Sequence, residues 1–234
     1  MFRKNAVKQI EEAYPYRIEL HAHTSPASGC SQVKPEDVVS IFRNAGYDGI
    51  AITNHFYPKP EKKDFLEIYR HDYFKALETG KALGINVYLG AELRFPNENN
   101  NDYLIFGFEL SQLEEMYFYT ETTLDNFVKN FKTDDMFLLQ AHPFRDGMAR
   151  NYAPLLDGIE VFNMHPNHNS RVALAAKYAT ENGKIATAGT DYHHIGHDNL
   201  CATRAPYLPE NSHDLVKLLK SGDFVFQIGD HLMI

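Results

Sequence analysis

The chain has little of what would place it outside a reducing cell interior or within a membrane. Its only cysteines are Cys30 and Cys201, too few for a disulfide framework, so a cytoplasmic setting is expected. Apolar runs such as Tyr103 to Phe108 fall far short of the roughly 20 residues a membrane helix needs. The opening stretch MFRKNAVKQIEEAYPY reaches Glu11 and Glu12 before any hydrophobic core forms, so a secretory signal is not expected there. Basic residues are in deficit: 23 Lys and Arg against 31 Asp and Glu leave a formal net charge of -8. That argues against a nucleic-acid partner held by a basic surface, because such binding neutralises many phosphates. A small anionic substrate stays compatible, since bound cations would reverse the local field. No phosphate-cradling Gly-rich loop, dinucleotide fingerprint, internal repeat or low-complexity segment is present, which disfavours nucleotide-dependent transfer.

What the chain does have is alternation. With 44% hydrophobic residues over 234 positions and no linker-like composition, residues 1–234 read as one domain. Strands are expected at Arg17 to His23, Gly49 to Thr53, Asn86 to Glu92, Tyr103 to Phe108, Met136 to His142, Asp157 to Asn163, Lys184 to Asp191 and Phe224 to Ile228. Helices are expected from Pro35 to Asn44, Asp64 to Leu83, Thr123 to Phe131, Asn169 to Asn182 and Ser212 to Leu219, with Gly46, Gly84 and Gly183 in stop positions. Asn97 to Asp102 reads as a polar turn. Strands separated by helices point to parallel pairing in an α/β barrel or open sheet, whose functional groups gather at the strands' carboxyl ends.

Metal-ligand residues fall at those ends. His21 and His23 close IELHAH, His55 closes IAITNH, Glu92 closes VYLGAE, His142 closes FLLQAH, and Asp191 and His193 close IATAGTDYH. Residues two apart on a strand share a face, so His21 with His23, and Asp191 with His193, can each reach one ion about 2 Å away. A carboxylate after VYLGA is costly to bury unpaired, and bridging two cations offsets that cost. Histidines and carboxylates at five strand ends suggest one polynuclear site and a metallohydrolase.

The motifs His21-Ala22-His23-Thr24, Ala51-Ile52-Thr53-Asn54-His55, Gly90-Ala91-Glu92, Ala141-His142-Pro143 and Gly189-Thr190-Asp191-Tyr192-His193 together resemble, in order, those of the PHP (polymerase and histidinol phosphatase) superfamily. The resemblance spans residues 17 to about 195. It implies a distorted seven-stranded (β/α)7 barrel and a metal-dependent phosphoesterase with two or three divalent ions, zinc, manganese or iron. Carried over, it implies that His21, His23, Glu92 and Asp191 hold a first metal. Glu92 would bridge to a second held also by His142, and His55 and His193 would contribute to a third. The chain departs from the pattern in three places. Asn54 stands where an acid is usual; the loop after His23 offers Ser28, Gly29 and Cys30 in place of an Asp or His; and where a further His is common the chain has Asp102 and Glu109 as substitutes at the second metal.

The expected reaction is hydrolysis of a small phosphorylated substrate by a metal-bound hydroxide, with Glu92 and Asp191 holding the charge of the centre. Arg145 is placed either to grip a phosphate or to form a surface ion pair. His165 follows a strand end and is expected to line the pocket, whereas His168, His194 and His197 read as loop residues and His71, His213 and His231 as solvated. Cys30 is either a ligand or a reduced, partly buried thiol. Two rival readings stay open: an amidohydrolase or carboxyl-ester hydrolase, and a non-catalytic metal-binding module. Substrate specificity is expected in two loops, Phe56 to Lys63 and Glu109 to Thr123.

Overall fold

The computed structural model describes residues 2–96, 98, 100–150 and 153–233. Asn97 and Asn99 of the expected polar turn lie outside the described residues. The strands are β1 (Tyr16–Ala22), β2 (Gly49–Ile52), β3 (His55–Phe56), β4 (Asn86–Arg94), β5 (Asp102–Phe106), β6 (Phe137–Gln140), β7 (Gly158–Asn163), β8 (Ile185–Gly189), β9 (Cys201–Ala205), β10 (Val225–Ile228) and β11 (His231–Met233). The helices are α1 (Phe2–Ala13), α2 (Pro35–Asn44), α3 (Lys62–Leu83), α4 (Leu113–Thr120), α5 (Leu124–Asn130), α6 (Val172–Glu181) and α7 (Ser212–Ser221).

Local chemistry explains the helices. Pro35 opens α2, Glu36 and Asp37 complement the N-terminal end of its dipole, and Gly46, at φ 83°, takes the left-handed turn that follows. Its apolar stripe buries Val38, Val39 and Phe42, each contributing about 1.5–3 kcal/mol. Thr123 and Asn211 cap α5 and α7 through their side chains. The segment read as a loop from Glu109 to Thr123 is instead a 3-10 turn followed by α4. No helix among the described residues is long and apolar enough to cross a membrane.

The expected (β/α)7 barrel is not what forms. The strands make one curled mixed sheet, a half-barrel, ordered β11-β10-β9-β1-β2-β4-β5-β6-β7-β8, with β3 beside β4 off that path. β1, β2 and β4 pair in parallel, as do β6, β7 and β8, but β5 runs antiparallel to both β4 and β6. β9 runs antiparallel to β1, and β10 and β11 continue in antiparallel pairs. The reason is the link from β4 to β5. That link, residues 95–101, is too short for the crossover of about a dozen residues that a parallel pair requires. β5 is buried along its whole length, so its apolar run looks like a parallel core strand although its direction is reversed.

This topology has one consequence for function. β1, β2, β4, β6, β7 and β8 all point the same way and deliver their carboxyl ends to one rim, while β5 delivers its amino end there. The curl brings the exit of β8 against β1: Tyr192 N donates to His21 O at 3.1 Å, and His23 N donates to Tyr192 O at 3.0 Å. Beneath the rim, aromatic and aliphatic side chains including Phe56, Tyr69, Leu93, Ile105 and Leu138 pack between sheet and helices.

Candidate metal centre

Four side chains from three strand ends converge below the rim. His21 Nε2 lies 3.1 Å from His23 Nε2, 3.3 Å from Glu92 Oε1 and 3.5 Å from Asp191 Oδ1. His23 Nε2 lies 3.4 Å from Glu92 Oε2 and 3.5 Å from Asp191 Oδ1. Four donors at about 2.0–2.1 Å from a tetrahedral ion are separated by roughly 3.3–3.4 Å; the two Nε2 atoms stand at about that separation from each other and from oxygens of Glu92 and of Asp191, and donor atoms of His21, His23 and Glu92 all lie within 4.8 Å of one another. All four residues are buried.

The outward nitrogens fit the same picture. His21 Nδ1 meets Glu160 Oε1 at 2.8 Å, His23 Nδ1 meets Ser28 Oγ at 3.0 Å, and His193 Nδ1 meets the Asp191 carbonyl at 2.8 Å. Ser28 already donates its proton to Asn54 Oδ1 at 2.9 Å, so it accepts from His23 Nδ1. Each ring is thereby held with its Nε2 facing inward, the orientation metal-binding imidazoles require. Glu92 Oε2 and His55 Nδ1 are buried, 2.7 Å apart, and without a hydrogen-bond partner among the described residues. Close polar atoms that are not aligned on each other suit a shared cation better than a hydrogen bond.

Around this inner set the structure places the other expected residues. His142 Nε2 lies 3.2 Å from Glu92 Oε1 and 3.8 Å from Asp102 Oδ2, so Glu92 stands between two donor groups. Asp102 is buried at the amino end of β5 and is gripped by Arg94 through two bonds, Nε to Oδ1 at 2.7 Å and Nη2 to Oδ2 at 2.9 Å. Arg145 Nη2 donates to Asp191 Oδ2 at 2.6 Å. Donor atoms of Cys30, His55 and His193 form an outer group, all within 4.8 Å of one another and of His23. Glu109 is not part of this assembly. Reversal of β5 carries it to the opposite end of the sheet, where it is exposed and pairs with His213 Nε2 at 2.8 Å.

Backbone strain marks the same place. His142 at φ 30° and Asp191 at φ 54° occupy the left-handed region, which costs on the order of 1–3 kcal/mol for a side-chain-bearing residue and persists where surroundings enforce it. Glu160 Oε2 accepts from His142 N at 2.9 Å, holding that turn. Gly189 makes room for this contact set, since a Cβ there would fall 2.4 Å from Glu160 Oε1 and 2.5 Å from His21 Cβ.

Electrostatics follow from packing these groups together. Burial opposes charge on His21, but Glu160, Asp191 and Glu92 outweigh it and hold the imidazole well above its ordinary range. Burial would raise Glu92 and Asp191, yet neighbouring histidines hold both well below the usual carboxylate range. Burial drives His23 well below its ordinary value, keeping its lone pair available. Burial and the Glu92 charge push Asp102 up.

Three acids that support the site carry only faint sequence signals. Glu160 is a charged residue within the apolar strand GIEVFN. Glu19 shares the His21 and His23 face of β1; it accepts from His21 N at 2.8 Å and Thr190 N at 2.9 Å. Burial pushes it up to about 7 against those bonds. Asp72 falls on the buried stripe of α3 and accepts from Thr24 Oγ1 at 2.9 Å and Ala27 N at 3.0 Å. Thr24 Oγ1 in turn accepts from Asn54 Nδ2 at 2.7 Å, so an acid missing at position 54 is reached through Thr24. His168 and His194, expected as loop residues, line the cavity of about 410 Å³ above the donors together with His165 and Arg145.

The curled α/β sheet, with imidazoles and carboxylates gathered at its carboxyl rim, defines a class of metal-dependent domains. The family model of the PHP domain matches residues 19–228, and the chain belongs to that family. Three solved structures share the fold. A two-domain protein of Bacteroides vulgatus ATCC 8482, containing a predicted PHP-like metal-dependent phosphoesterase, superposes with a TM-score of 0.68 at 15% identity over 93% of this chain. The match spans 66% of that two-domain protein, less than two thirds of its length. A candidate metal-dependent phosphoesterase from Bifidobacterium adolescentis ATCC 15703 gives a TM-score of 0.55 at 16% identity, over 86% of this chain and 95% of its own. An amidohydrolase from Chromobacterium violaceum, solved with bound sulfate and no metal, gives 0.53 at 14% identity, over 77% and 89%. No curated protein matches.

Proposed function

We propose that the protein is a metal-dependent phosphoesterase acting on a small anionic substrate. The observation that carries this reading is the inner donor set: two buried imidazoles, their outer nitrogens already held, whose Nε2 atoms lie 3.1–3.5 Å from each other and from carboxylate oxygens of Glu92 and Asp191. In it His21, His23, Glu92 and Asp191 would hold one divalent ion, and Glu92 with His142 and Asp102 would hold a second. His55 and His193 reach toward a third. Imidazole-rich donors favour zinc, manganese or iron over magnesium. When bound, such ions lower the pKa of water toward neutrality and neutralise charge on phosphoryl oxygens.

The chain's own residues do the rest. Glu160 orients His21 and the His142 backbone. Arg145 steadies Asp191 and lines the cavity with donors suited to a phosphoryl group, as Arg94 does on the Asp102 side. With the carboxylates neutralised by bound cations, these two guanidinium groups would favour a phosphate ester over a neutral amide. Hydrolysis of a carboxyl ester or amide is a second reading, which rests on the fold shared with the Chromobacterium amidohydrolase and on the ability of one fold to host several chemistries. A screen of p-nitrophenyl phosphate, its diester and p-nitrophenyl acetate, each with zinc, manganese and iron, separates the two. Turnover of a phosphate ester that chelation abolishes is expected. Turnover of the carboxyl ester alone, or a protein that takes up less than one metal equivalent, would overturn the reading.

A further inference from the structure

The thiol at the cavity mouth is placed with more care than a surface cysteine needs. Cys30 Sγ lies 3.1 Å from His193 Nε2, the nitrogen left free because Nδ1 is bonded to the Asp191 carbonyl. The loop bearing Cys30 is tied to both neighbouring ligand segments. Ser31 Oγ donates to His23 O at 3.1 Å, and Gln32 N donates to His193 O at 3.2 Å. His55, whose backbone N–H is held by Ser28 Oγ at 2.9 Å, completes the ring of donors within 4.8 Å. Cys30 has no disulfide to form, because Cys201 is buried beside Thr190 and both thiols are free.

We propose that Cys30 binds metal as a thiolate, forming with His55 and His193 an outer, sulfur-containing seat distinct in chemistry from the oxygen- and nitrogen-lined inner seats. The inference rests on reading the inner donors as a metal centre. A soft sulfur ligand selects zinc or cobalt over manganese and magnesium, so the outer seat holds a zinc-like ion even when the inner seats carry a harder one. Its position at the exposed rim also makes it the seat open to thiol reagents.

Cobalt(II) titration of the metal-free full chain tests this directly. The expected result is a near-ultraviolet thiolate-to-cobalt charge-transfer band in the wild type and in Cys201→Ser, lost in Cys30→Ser. In Cys30→Ser the last equivalent should weaken by more than the roughly 10–100-fold that loss of a supporting contact costs. Iodoacetamide labelling of wild-type Cys30, followed by peptide mass, should be suppressed by zinc and unaffected by magnesium. A wild type that binds inner cobalt without a sulfur band, a band that survives in Cys30→Ser, or labelling that zinc does not slow would each overturn the proposal while leaving the inner centre intact. Failure to bind cobalt at all would overturn the metal-centre reading together with it.

Discussion

The inner and outer donor groups are made of similar side chains but differ in how they are held. His21, His23, Glu92 and Asp191 emerge from or directly after the strands β1, β4 and β8, are buried, and are backed by Glu160, Ser28 and Arg145. Cys30, His55 and His193 are partly exposed, and Cys30 sits in a loop. The difference teaches that strands supply fixed distances whereas loops supply chemical variety: the inner imidazoles stand 3.1–3.5 Å from each other and from their carboxylate neighbours, and the loop after His23 is where this chain places Cys30.

The largest test of that contrast removes inner charge. Glu92→Gln or Asp191→Asn should lower turnover on the order of 10³-fold or more and reduce bound metal, with the circular dichroism spectrum retained. Near-normal turnover in either variant would mean the inner group is not the reacting centre.

Next comes the acid beneath it. In the folded chain Glu19 is raised from 4.5 to about 7, so folding favours its protonated form. The associated stability is fully present below pH 4.5 and is lost as pH rises through 7. At 1.36 kcal/mol per unit, metal-free Glu19→Gln should gain about 3 kcal/mol on the wild type between pH 4.5 and 8. Denaturant titrations at both pH values measure this, and parallel curves would refute it.

A smaller effect is expected from loosening without discharging. Glu160→Gln should cost roughly 10–100-fold in metal affinity or turnover and should spare the outer seat, whose rings Glu160 does not touch. Equal weakening of both seats would erase the distinction. Least of all should change at the far end of the sheet, where His213→Ala breaks only the exposed pair with Glu109. Stability should stay within about 0.5 kcal/mol with turnover unchanged, and damage comparable to His23→Ala would mean the site is misplaced.

Much of this could be read from residues alone. The α2 limits Pro35 and Asn44 follow from a proline, two acids and a downstream glycine, which are local marks. His21, His23, Glu92, His142 and Asp191 meet in space because the co-directional strands that deliver them share one rim. Strand direction is another matter. β5 is apolar after Asp102, and apolarity reports burial without reporting direction, so the barrel expectation fails there, and of the two candidates for the second metal Asp102 lies at the rim while Glu109 lies at the opposite end. Supporting contacts were equally silent: Glu160 meets His21 across 139 residues, and Asp72 reaches Asn54 only through Thr24. Neither partnership leaves a trace in nearby sequence.

The seam between β1 and β8 also sets a clock. Glu19 and Thr190, which meet across it, are 171 residues apart. At roughly 5–20 residues per second a ribosome takes on the order of ten to thirty seconds to travel from one to the other. Throughout that interval His21 and His23 exist without Asp191, so a nascent chain could not complete the metal shell proposed for these residues until the strand that ends at Gly189 has emerged.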